Sequence, residues 1–131
     1  MDLHLKIIGI VFILLAFLHL GFPRRFRWKG ELSLVSDINK EMMYIHTLFI
    51  ALMILLMGLL CLTSSVELTT TTFGKKISLG LGIFWGTRLF IQFFGYSSSL
   101  WRGKTFETIV HIMFAGLWLY VSGVFLKIYF G

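Results

Sequence analysis

Four long apolar runs, separated by short polar stretches, organise this chain. They cover residues 7–22, 42–62, 77–96 and 108–128. Each is long enough, or nearly so, to cross a hydrocarbon core of about 30 Å as a helix. The pattern predicts helical spans at about 5–22, 38–63, 76–96 and 106–129. The expected fold is an all-α integral membrane protein, an up-down bundle of four transmembrane helices forming a single domain over residues 1–131. The first run ends in Leu20-Gly21-Phe22-Pro23 and basic residues, without a small-x-small cleavage pattern. It is expected to remain as a mature helix.

Polar interruptions distinguish the runs. Span 1 is apolar all round except for His19, and Gly21 and Pro23 mark its end. The following Arg24-Arg25-Phe26-Arg27-Trp28-Lys29 alternates cations with rings, which fits an anchor in the headgroup layer, or else a lid. Ser36 or Asp37 is positioned as an N-cap, so helix 2 starts before its apolar part and sets Asn39, Met42 or Met43, and His46 along one stripe. The Ser/Thr-rich stretch Thr63–Lys76 has the composition of a solvated connector. Span 3 carries Gly74, Gly80, Gly82 and Gly86, small positions that permit close helix approach. One of its faces bears Trp85, Arg88 and Gln92, spaced three and four apart. Arg88 lies about 12 Å inside the run by helical rise. Span 4 opens with Glu107, has His111 one turn later, and returns to the same face at Trp118.

Composition supports the class: the 131 residues are 57% hydrophobic and 17% aromatic but only 14% charged, unlike a soluble domain. The net charge of +6 does not point to nucleic acid, because its placement follows the connections. Arg24, Arg25, Arg27, Lys29, Lys40, Arg102 and Lys104 fall on one side, against Lys6, Lys75, Lys76 and Lys127 on the other. The positive-inside rule then places the first and third connections in the cytoplasm and both termini outside it. A bacterial inner-membrane protein is expected, with the bilayer and its anionic lipid headgroups as partners. Cys61, the only cysteine, excludes an intrachain disulfide and has the character of a small buried apolar residue.

The candidate chemistry is a coincidence of depth. His19, His46 and His111 each fall within about one helical turn of the same end of three spans. Intramembrane ionisable groups are costly and tend to mark function. Three readings follow. The histidines bind a metal ion (zinc, copper or iron), with Glu107 or Glu41 as an oxygen ligand or an orienting group. Alternatively His46 and His111 hold a b-type haem, with Arg24, Arg25 or Arg88 facing its propionates. Or no cofactor exists, and Arg88 pairs with Glu41 or Glu107. Beside the histidines, Arg88, Gln92, Asn39 and Tyr96 form a ligand-binding set suited to an anionic or polar group such as a lipid headgroup or quinone.

Size and span count resemble small four-helix membrane families, among them the membrane-associated eicosanoid and glutathione metabolism enzymes and the small multidrug transporters. The Arg/Asn/His pattern of the former is absent at matching spacing, and the acid that the latter carry in their first helix is missing here. The chain is assigned to neither. The function expected is a small polytopic membrane protein with a histidine-based metal or haem site near the cytoplasmic end of the bundle, with redox chemistry the first choice. The alternatives are a non-enzymatic subunit or assembly factor of a larger membrane complex, and a small homo-oligomeric transporter or channel using Arg88.

Overall fold

The computed structural model describes residues 2–25, 27–95 and 103–131. Among them every regular element is helical: α1 (Asp2–Leu20), α2 (Phe22–Arg25), α3 (Trp28–Glu31), α4 (Asp37–Thr63), α5 (Ser65–Thr70), α6 (Thr72–Phe94) and α7 (Thr105–Phe130). The long helices α1, α4, α6 and α7 are each long and apolar enough to cross a membrane. They coincide with the four apolar runs. Helix α4 begins at Asp37 behind Ser36, ahead of its apolar part, although Ser36 makes no side-chain capping bond.

The chain divides into two compact units, Leu3–Ser65 and Val66–Gly131, with Asp2 grouped with the second. In the first, α1 and α4 cross where neither has a side chain. A carbon added to Gly9 would lie 2.8 Å from the Gly58 carbonyl oxygen and 2.7 Å from Leu62 Cγ. One added to Gly58 would lie 2.8 Å from the Gly9 carbonyl oxygen and 3.0 Å from Ile13 Cγ1. Residue numbers rise along α1 as they fall along α4, so the pair is antiparallel. Towards the other end the helices part into an open apolar groove lined by Ala16, Phe17, Leu20, Leu48, Ala51, Leu52 and Leu55.

In the second unit α6 and α7 form an antiparallel pair. Leu126 fills the space over Gly82, and the Trp85 and Trp118 rings stack at 4.8 Å with planes 15° apart. Gly82 thus gives the close approach that small residues in span 3 predict. Gly80 does not, since nothing within 4 Å faces it.

The Ser/Thr-rich connector is largely helical, a correction to the expected solvated loop. Its hydroxyls are turned inward on the backbone: Thr70 donates to the Val66 carbonyl and Thr71 to the Glu67 carbonyl, both at 2.7 Å. Thr71 Oγ1 also accepts from the Gly74 N–H at 2.9 Å, capping α6. Gly74 then packs so tightly on α5 that an added carbon would collide with the Glu67 carbonyl.

Candidate functional site

The groups that α6 and α7 bring together are Arg88, Gln92, His111 and Trp118. Spacing of three and four puts Trp85, Arg88 and Gln92 on one face of α6, and that face meets α7. Gln92 is only 6% exposed. An arginine Nη1–H donates to Gln92 Oε1 at 3.0 Å, and Gln92 Nε2 lies 2.8 Å from His111 Nδ1.

The donor inventory fixes the direction of this chain. A guanidinium only donates, so the glutamine oxygen must face Arg88 and its NH₂ must face His111. The NH₂ only donates, so His111 Nδ1 accepts. Phe93 meets the His111 ring edge-to-face at 5.7 Å. The Arg88 guanidinium carbon lies 5.3 Å over the Trp118 ring, within the range of a cation–π contact. Trp118 is 4% exposed and also stacks with Phe114 at 5.6 Å. Its indole N–H is buried with no hydrogen-bond partner among the described residues. The Ser122 hydroxyl donates back to the Trp118 carbonyl at 2.8 Å.

The arrangement presents a delocalised cation on an aromatic floor, held by an amide that is itself held by an imidazole. Such a site favours an anionic or acceptor-rich ligand.

The other expected site residues are placed differently. His19 and His46 belong to the unit Leu3–Ser65, and His111 and Glu107 to Val66–Gly131. Among the described residues no group of three or more His, Cys, Asp or Glu side chains stands close enough to hold a metal ion. His111 Nδ1 is engaged by the Gln92 amide. His19 is half-buried on α1, donates from Nδ1 to the Leu15 carbonyl at 2.8 Å and leans on Phe22 at 4.5 Å. His46, Asn39 and Glu107 are exposed. Tyr96, like Trp101 and Arg102, lies outside the described residues. Sequence reasoning did not anticipate the Gln92–His111 bond or the Trp85–Trp118 stack. The shared-face spacings were their only signal.

No family model, characterised protein or solved structure matches this chain.

Proposed function

We propose that the chain is an integral membrane protein in which α1, α4, α6 and α7 span the bilayer in up-down order. Within it, the Arg88–Gln92–His111 chain binds the anionic or polar group of a membrane-soluble ligand, such as a lipid headgroup, a fatty-acid carboxylate or a quinone. The observation that carries this reading is the directed bonding from Arg88 through Gln92 to His111, over the Trp118 ring. A permanent cation set deep in an apolar span is expensive without partners and is a functional signal by default. The large apolar side chains exposed along all four long helices, among them Leu14, Phe49, Phe84, Phe90, Ile112 and Leu119, suit hydrocarbon surroundings. Bacterial inner-membrane residence with both termini outside the cytoplasm remains part of the proposal, resting on the charge asymmetry of the connections.

The test is a thermal-shift titration of the detergent-purified protein with oleate, phosphatidylglycerol and decylubiquinone. A ligand at a hundredfold excess over its Kd stabilises the folded state by about 2.7 kcal/mol. Saturable stabilisation by one probe, weakened at least about tenfold in Arg88→Gln as for loss of a charged hydrogen bond, supports the reading. Indifference of the wild type to all three probes, or equal response of Arg88→Gln, sinks it.

One observation keeps the cofactor reading alive as a second proposal. The Nδ1–H of His19 is spent on a backbone carbonyl, which leaves Nε2 as the acceptor nitrogen, the arrangement common to metal-ligating histidines. On that reading His19, His46 and His111, with Glu107, supply ligands for a metal ion, or two of the histidines hold a b-type haem. Elemental analysis and an absorbance spectrum of gently purified protein decide it. Stoichiometric metal or a Soret band, lost in His19→Ala and His46→Ala, supports it; no uptake of added haem, zinc, copper or iron removes it.

A further inference from the structure

We infer that the segment from Phe22 to Ser36 is an in-plane foot that embeds in the headgroup layer and selects anionic phospholipids. This rests on the membrane reading above, and it assigns a partner to a part of the chain that the Arg88 site does not use.

Arg24, Arg27 and Lys29 are all exposed, and Glu31 is the one acid among residues 22–36. Next to these cations the chain exposes hydrocarbon. Leu34 is 98% exposed, and Val35 and Ile38 are exposed as well. Water solvates the cations but not this leucine, and nucleic acid would satisfy the charges while offering no hydrocarbon. A lipid surface supplies phosphate and acyl chain within a few ångströms of each other.

The backbone of the segment is suited to that layer. Gly30 and Glu31 N–H both donate to the Arg27 carbonyl, at 3.1 and 2.9 Å. Leu32 N–H donates to the Trp28 carbonyl at 2.8 Å, Ser33 to Gly30 at 3.2 Å, and Val35 to Leu32 at 3.1 Å. A connection that satisfies its own donors can lie where water is scarce. Trp28, 9% exposed, meets Tyr44 edge-to-face at 5.3 Å and ties the foot to the start of α4. The paired rings belong to the interfacial aromatic type.

Arg27 adds an independent mark. It holds a left-handed backbone, φ 54° and ψ 47°, at the turn into α3. Glycine or asparagine would occupy that corner more easily. An arginine there holds an exposed cation at the turn in a conformation its own backbone disfavours.

The experiment uses the full chain with Cys61→Ala, reconstituted in nanodiscs of phosphatidylcholine with or without phosphatidylglycerol. Nitroxides are attached at Leu34→Cys and, as a control in mid-helix, at Phe49→Cys. Collisions with oxygen and with a water-soluble nickel chelate report depth. With phosphatidylglycerol present, both labels should be reached by oxygen and shielded from nickel. Retention of phosphatidylglycerol over phosphatidylcholine should fall about fivefold for each cation replaced in Arg24→Gln, Arg27→Gln and Lys29→Gln. The single Lys29→Gln, which leaves both the corner and the aromatic pair intact, should show its fivefold share without loss of fold. The foot is overturned if Leu34 is as open to nickel as a solvated site while Phe49 is in lipid, or if Lys29→Gln and the triple variant keep the full preference. It is equally overturned if RNA, and not phosphatidylglycerol, shields Leu34. Nickel access at Phe49 would instead overturn the membrane reading itself, and the foot with it.

Discussion

A guanidinium has donors and no acceptors, and that restriction orders everything bonded to Arg88. It orients the Gln92 amide, and the amide in turn selects the His111 tautomer. Solid-state NMR of ¹⁵N-histidine protein should show His111 with a bare Nδ1 and a protonated Nε2. In Gln92→Glu an acceptor would face Nδ1, and the proton should move there; an unchanged spectrum would disprove the bond. Removing the amide in Gln92→Leu should cost about 1–3 kcal/mol in detergent unfolding, the usual penalty for a stranded buried polar group. The sequence announces Trp85, Arg88 and Gln92 as a shared face, because helical spacing alone determines that. It cannot announce that His111 meets Gln92, since that depends on how α7 is rotated and registered against α6. His111 was therefore legible as an ionisable group at the right depth but not as the acceptor in a bonded chain.

At the scale of the helices, glycines separate into those that touch and those that do not. Gly9 and Gly58 bring α1 and α4 into backbone contact, yet the one further glycine or alanine in each helix, Ala16 and Ala51, lies seven positions away, a sparser signal than the glycines of span 3. Span 3 has the visible glycine pattern, but Gly80 packs against nothing within 4 Å, while Gly74 is tightly covered by α5 and Gly82 by α7. Gly58→Ala should destabilise by about 1–3 kcal/mol, as overpacking against a carbonyl does. Gly80→Ala should be neutral or stabilising by up to about 1 kcal/mol through helix propensity, provided the open face is not an interface. Chemical unfolding of both variants in the same detergent checks the contrast. The composition of the threonine run is that of a loop, whereas the run is largely helical and its hydroxyls bond to α5 carbonyls and cap α6. Thr71→Ala should lose about 1 kcal/mol, the ordinary value of an N-cap.

For the whole molecule, the four long helices were legible from run length alone, because hydrocarbon thickness sets a minimum that few other structures satisfy. Their orientation rests on charge. On a Cys61→Ala background, cysteines placed at Lys76 and Lys104 should react with impermeant maleimide from opposite faces of sealed vesicles, with Lys104 on the cytoplasmic side. Labelling of both from one face would refute the up-down order.

The partners of Arg88 also bear on how the chain would enter a membrane. Helix α6 is the span whose insertion alone would be hardest, since it would carry a permanent charge into lipid. The ring that covers the charge and the imidazole that holds the amide both come from α7, which is synthesised later. The translocation machinery would therefore have to hold α6 until α7 emerges and release the two as one hairpin. Ribosome-stalled chains with α7 still inside the exit tunnel should leave α6 crosslinked to the insertion channel, and chains extended by a C-terminal linker until Trp118 has emerged should free it.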